Sequence, residues 1–87
     1  MYKFKTKGTC SREISFEIKD NKVYNIKFVG GCDGNLKAIS KLCDGKEAQE
    51  IVNILKGNTC GPRKTSCADQ FAIAITQALN NELEEMD

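Results

Sequence analysis

The chain has 87 residues, 40% hydrophobic and 29% charged, and thirteen basic against twelve acidic side chains leave a net charge of +1. That length predicts one domain over residues 1–87 with a single modest core, and the composition lies well outside the disordered range. Charges so balanced offer a nucleic acid or an anionic membrane no overall attraction, so neither is expected as a partner. No apolar run approaches the roughly 18 residues of a membrane span. The opening "MYKFKTKG" alternates in polarity where a signal peptide would have an apolar block, so the expected location is cytoplasmic.

The first third reads as strands. Tyr2, Phe4 and Thr6 alternate with Lys3, Lys5 and Lys7; Ile14, Phe16 and Ile18 alternate with Glu13, Ser15, Glu17 and Lys19; Tyr24, Ile26 and Phe28 alternate with Asn25 and Lys27. The connector "GTCS" carries Cys10, and "DNK" at Asp20 to Lys22 has the residue types of a tight turn. A lysine face on the first strand beside a glutamate face on the second fits cross-strand pairing, which predicts an antiparallel meander.

The remainder reads as three helices. "CDGNLKAISKLCDG" places Leu36, Ile39, Leu42 and Cys43 on one side of a helix that starts near Asp33 and stops at Gly45. Next, Asp44 and Glu47 are spaced like a capping box ahead of Ala48, Ile51, Val52 and Leu55, with Gly57 as the stop. The third helix begins near Ser66, with Asp69 three residues on, and carries Phe71, Ala72, Ile75, Ala78, Leu79 and Leu83. Its "FAIAI" run is apolar nearly all round and predicts burial against both sheet and helices. The acidic "NNELEEMD" sits at the unfavourable end of the helix dipole, so the last turn is expected to fray. The expected fold class is α+β: a three-stranded antiparallel meander followed by three helices packed on one face.

Five cysteines and no histidine stand in this chain. In a reducing compartment such a set is better explained by metal ligation or redox chemistry than by a disulfide framework. In an up-down-up sheet the end of the first strand, the start of the second and the end of the third share an edge, so Cys10 and Cys32 are expected to converge there. Cys60 and Cys67 bracket the loop "GPRKTS", which leads into the third helix. If that helix starts at the same edge, four sulfurs can meet. Thiolates bind metal, and helix N-termini and nearby cations favour them. Cys32 and Cys67 each head a helix, and Arg63 and Lys64 sit beside the latter. Cys10, Cys32, Cys60 and Cys67 are therefore the candidate metal ligands, for zinc or an iron-sulfur cluster bound by sulfur alone. Cys43 falls on an apolar helix stripe and is expected to be core. The glycines of "GGCDGN" match neither a dinucleotide fingerprint nor a P-loop, and turn chemistry accounts for them. No catalytic residue is assigned.

Two resemblances add to this reading. "TSCADQFAIAI", "FVGGCDGNLKAISKL" and a cysteine shortly before "TSC" resemble the TSCPD family, small stand-alone proteins and C-terminal modules of cobalamin-dependent ribonucleotide reductases. The name motif departs at Ala68, where a first-turn proline would be welcome but is not needed. The resemblance implies a cysteine-containing module. A reductase label would be inherited from the larger enzymes, since this chain is far too short for a reductase barrel, and a ribonucleotide reductase becomes one implied partner. The layout is also similar to the U-type iron-sulfur scaffold proteins, a SufE/NifU-like arrangement of three antiparallel strands followed by helices. Laid over it, Cys10, Cys32 and Cys67 take the three cluster-ligand positions, Arg12 and Ser66 replace the scaffolds' aspartate and histidine, and Cys60 would supply a fourth ligand. That likeness implies the iron-sulfur assembly machinery as another kind of partner. Beside the metal reading stand a thiol-redox role, with Cys60 and Cys67 cycling between dithiol and disulfide, and a protein-interaction domain without metal.

Overall fold

The computed structural model describes residues 1–9, 11–31, 33–58, 65–83 and 85, with the backbone alone at residue 33. Its elements run β1 (Tyr2–Lys5), β2 (Ser11–Lys19), β3 (Lys22–Gly30), α1 (Asp33–Cys43), α2 (Ala48–Leu55) and α3 (Cys67–Leu79). The three strands form one antiparallel sheet in the order β1-β2-β3, the meander expected from the alternation. Tyr2 lies opposite Phe16 and Phe4 opposite Ile14 on the core face, while Lys3 faces Ser15 and Lys5 faces Glu13 on the other. These pairs hold the register, because a slip of one residue would carry every apolar side chain into water.

Asp20 and Asn21 both have positive φ, 53° and 64°, and close the β2–β3 hairpin. Two left-handed residues in a two-residue loop match the right-handed twist of the strands they join. Within β3 the structure corrects the expected apolar face. Ser15 pairs with Lys27 but Glu17 with Tyr24, so β3 carries one extra residue, and Asn25 sits there at φ 53°. This bulge reverses the alternation. Val23, opposite Ile18, is fully buried, whereas Tyr24 lies opposite Glu17 and is half-buried. Asn25 is held in place by its amide N–H, donated to Asp44 Oδ1 at 3.2 Å, and by its side chain, donated to Glu17 Oε2 at 2.6 Å.

Helix α1 lies along β3 and buries Leu36 and Cys43. Leu42, expected on that stripe, is 68% exposed. It lies about 120° round the helix from Leu36, at 100° per residue, and α1 packs through a narrower stripe than its apolar content suggests. The predicted capping box at Asp44 and Glu47 does not form: Glu47 is the N-cap of α2 and makes no side-chain cap. The linker instead pairs with the start of β3, with Gly45 N–H donated to Val23 O at 2.7 Å and Val23 N–H to Lys46 O at 2.9 Å. Gly45 adopts φ 79°, a left-handed conformation that ends α1 and aims its N–H at the strand. Ala48 N–H is donated to the hairpin carbonyl of Asn21 at 2.8 Å, so the turn caps α2 where no side chain does.

The core consists of Ile14, Phe16 and Val23 from the sheet, Cys43 from α1, Ala48, Ile51 and Val52 from α2, and Phe71, Ala74, Ile75 and Ala78 from α3. Phe71 makes edge contacts with Phe16 and Phe28, ring centroids 5.7 Å apart in each case, so α3 is seated on both longer strands at once. The C-terminal expectation is corrected. Helix α3 stops at Leu79, with Asn81 N–H donated to Ala78 O, Glu82 N–H to Gln77 O, and Asn81 at φ 59°. That is a Schellman stop with asparagine in the left-handed position. The chain then turns back: Leu83 packs against the core from outside the helix, and Glu85 bridges to Tyr2. Leu79, expected in the core, is 37% exposed.

Candidate functional site

Of the four candidate ligands, Cys67 is the one described; Cys10, Cys32 and Cys60, with Arg63 and Lys64, lie outside the described residues. The described residues nearest to them in the chain are Thr9 and Ser11 about Cys10, Gly31 and the backbone of Asp33 about Cys32, and Asn58 and Thr65 about Cys60. Ser11, first residue of β2, pairs with Gly30, the last of β3. The residue after Cys10 is thus the cross-strand neighbour of the residue two before Cys32. A register shift between Ser11 and Glu13 places a second bulge at Arg12, where the β2 edge twists beside this corner.

The third element arrives at the same corner. Ser66 is the N-cap of α3, with extended backbone and a side chain that accepts from Asp69 N–H at 3.1 Å. Cys67 is therefore the first helical residue, half-buried, and its Sγ accepts a hydrogen bond from Ser11 Oγ at 3.1 Å. Ser11 is 3% exposed, and its carbonyl accepts from Thr6 Oγ1 at 2.5 Å and Thr9 Oγ1 at 3.2 Å. The β1–β2 connector also approaches α3 directly. Gly8 has φ 72°, and a Cβ there would lie 3.3 Å from Thr65 Cγ2, so both conformation and space favour glycine. Lys7 N–H is donated to Gln70 Oε1 at 3.1 Å.

The fourth flank is Asn58, two residues before Cys60. Ser66 Oγ donates to its carbonyl at 2.5 Å, and its Nδ2 donates back to Ser66 Oγ at 3.5 Å. Asp69, 8% exposed, accepts from Gly57 N–H through Oδ1 at 2.6 Å and from Thr65 Oγ1 through Oδ2 at 2.5 Å. In the stretch "TSCAD", then, Thr65, Ser66 and Asp69 bond to one another and to the end of α2, while Cys67 bonds instead to β2. Sequence reading placed Ser66 and Asp69 at a helix start but missed that Asp69 reaches another element. It also missed Ser11 as the partner of Cys67. A polar residue three places after an N-cap was the visible sign of the first; nothing local marked the second.

Cys43 behaves as expected of core, 8% exposed among Val23, Ala48 and their neighbours. Burial pushes its thiol up from the ordinary value, and the nearby Lys46 charge offsets part of that rise. A group whose pKa is raised by folding contributes stability that is fully present below the unfolded value, about 8.5 for a thiol. It is lost as the pH climbs through the folded value, where the unfolded chain has already released the proton. The stability gap between wild type and Cys43→Ala is therefore expected to shrink as the pH rises above about 8.5, by no more than about 1.4 kcal/mol per pH unit. Urea midpoints of both proteins across that range check it; a constant gap would mean that the thiol does not titrate differently in the fold.

Among the described residues, no three Cys, Asp or Glu side chains are grouped to hold a metal ion, and no helix is long and apolar enough to cross a membrane. No curated protein and no solved structure matches the chain. The family model of the TSCPD domain matches residues 2–79, all three strands and all three helices, and the chain accordingly belongs to the TSCPD domain family.

Proposed function

We propose that this protein is a small cytoplasmic metal-binding module in which Cys10, Cys32, Cys60 and Cys67 together hold a zinc ion or an iron-sulfur cluster. The observation that carries the reading is the convergence of the four flanks. Ser11 pairs with Gly30 and donates to Cys67 Sγ, and Ser66 is bonded to Asn58. Each candidate sulfur is thus one or two residues from a group tied into one corner of the fold, or belongs to that corner itself. The donor set suits a soft metal, since thiolate sulfur and no imidazole is available. The hydroxyl of Ser11 points its proton at Cys67 Sγ, the outer contact that orients a thiolate ligand. The resemblance to the U-type scaffolds agrees with this ligand layout.

Four thiolates close a tetrahedral site and leave no open position for water or substrate, so structure, storage or electron transfer fits better than hydrolysis. A ribonucleotide reductase or the iron-sulfur assembly machinery is the kind of partner such a module would serve, and it would not reduce nucleotides alone. Metal analysis and the visible spectrum of protein purified without oxygen test the reading. The expected result is stoichiometric zinc or a sulfur-to-iron absorption band, absent when all four cysteines are serine. Metal-free protein whose four thiols titrate independently would sink it, leaving an interaction domain if the all-serine variant keeps its stability.

A further inference from the structure

We propose that the open edge of β3, where it faces α1, docks an extended segment of a partner protein in which acidic and apolar residues alternate, taken up as an added strand of the sheet. The inference draws on no cysteine and stands apart from the metal reading. In the order β1-β2-β3 both outer strands are edges, and an antiparallel edge strand leaves the N–H and C=O of alternate residues unpaired. The chain covers part of each edge itself. On β1, Tyr2 is bridged by Glu85. On β3, Lys22 is bridged by Glu47, Val23 bonds to Gly45 and Lys46, and Asn25 N–H is donated to Asp44 Oδ1. Past Asn25 the linker leaves the strand, and among the described residues no backbone group of residues 26–30 bonds to any element but β2.

This open stretch forms one wall of a groove. Residues 26–28 of β3 and 36–41 of α1 enclose about 320 Å³, and a second hollow of about 340 Å³, lined by Asn25, Ser40 and Asp44, continues it past Ile26 and Lys41. The floor is apolar: Leu36 is buried, and Ile26 and Phe28 are half-buried against the core. The rim is cationic. Lys27 lines it from the strand and Lys41 from the helix, both are exposed, and neither makes an ion pair among the described residues. Asp44, the carboxylate on the lining, stands at the end that the linker closes and already holds Asn25 N–H. A lysine on an edge strand serves by itself to discourage aggregation. Lys41 lies on a helix, where that task does not arise, so two cations face one channel from opposite walls. An edge that offers main-chain groups beside an apolar floor suits an added strand, whose alternate side chains enter the groove. The cations select acidic side chains on that strand and reject basic ones.

The test titrates peptides of about six residues, Glu alternating with Val, Ile, Leu, Phe or Tyr, into the reduced, isotope-labelled full-length protein, with the same peptides carrying Lys for Glu as the comparison set. Members of the Glu set are expected to move the NMR amide signals of residues 26–30 and 36–41 and to slow hydrogen exchange at residues 26–30, while the Lys set does neither. N-methylating alternate amides of the tightest peptide is expected to abolish binding in one register and spare it in the other, because only alternate groups of an added strand face its neighbour. Lys27→Glu with Lys41→Glu is expected to weaken that peptide about tenfold or more and to admit its Lys counterpart. Should this variant not fold, the unaltered protein reads the same charge contact through weaker binding as ionic strength rises. The proposal is overturned if no Glu peptide moves these signals, if the Glu and Lys sets bind alike, or if neither N-methylated register loses affinity. Exchange at residues 26–30 that slows with protein concentration alone, together with a dimer in sedimentation, would assign the edge to a second copy of this chain and overturn it as well.

Discussion

Phe71→Ala is expected to cost about 3–5 kcal/mol of stability, the range for deleting a fully enclosed aromatic ring. Phe71 is 0% exposed and touches Phe16 of β2 and Phe28 of β3 edge-on, and Phe16 stacks in turn on Tyr2 of β1 at 5.5 Å. Removing it opens a cavity beneath β2 and β3 at the point where α3 is seated. A domain of this size has a total stability of about 5–15 kcal/mol, so the variant should be largely unfolded under mild denaturant. Leu42→Ala is the control: at 68% exposure its change should stay within about 0.5 kcal/mol. Chemical denaturation of both variants checks the pair, and a Phe71→Ala midpoint close to that of wild type would mean that α3 is held by other contacts. Because Cys67 lies one turn before Phe71 on the same helix, a partly folded Phe71→Ala should also lose whatever site Cys67 completes.

Cys67→Ser is expected to separate site from fold. The serine hydroxyl can still accept from Ser11 Oγ, and the N-cap at Ser66 and the buried face of α3 are untouched. Metal-free stability should therefore change by about 0.5 kcal/mol or less. On the proposed four-cysteine reading, metal binding should fall by more than the 10–100-fold typical of an outer-shell change, roughly 100-fold or beyond, since a proposed ligand sulfur is lost outright. Ligand linkage makes this visible in melting as well. At a free metal concentration about 1,000 times the wild-type dissociation constant, wild type gains about 4 kcal/mol, whereas a Cys67→Ser weakened about 100-fold gains only about 1.4 kcal/mol. Melting with and without a chelator, alongside metal content, reads both effects. Should Cys67→Ser retain its metal while Cys43→Ser loses it, the assignment of Cys43 to the core and of Cys67 to the site would have to be exchanged.

Much of the fold was legible because it depends on near neighbours. Alternation at Tyr2–Phe4, Ile14–Phe16–Ile18 and Ile26–Phe28 marked the strands, a helical stripe marked Ile51, Val52 and Phe71, and Ser66 with Asp69 marked the start of α3. The misreadings share a cause. Tyr24 was placed on the core face because period 2 was carried through Asn25, and a bulge interrupts that period without changing composition. Leu42 was placed in the core because apolar character was counted without knowing how wide a stripe α1 would bury. Asp44 and Glu47 had the spacing of a cap, but the first N–H of α2 had a better acceptor in the hairpin carbonyl of Asn21, far away in sequence.

The site divides in the same way. The sequence by itself determined which side chains are at hand, five cysteines and no histidine, together with the meander whose up-down-up path brings Ser11 and Gly30, beside Cys10 and Cys32 in the chain, to one edge. It also determined that Cys67 would open a helix, because a serine cap and an apolar run are local signals. Only the tertiary structure decided that Ser11 meets Cys67, that Ser66 holds Asn58, and that Asp69 ties Gly57 to Thr65. Those contacts join residues 56, 8 and 12 positions apart or bridge two elements through one carboxylate. Their partners are chosen by how α3 seats on the sheet through Phe71, a packing outcome of the whole core that no window of neighbouring residues contains.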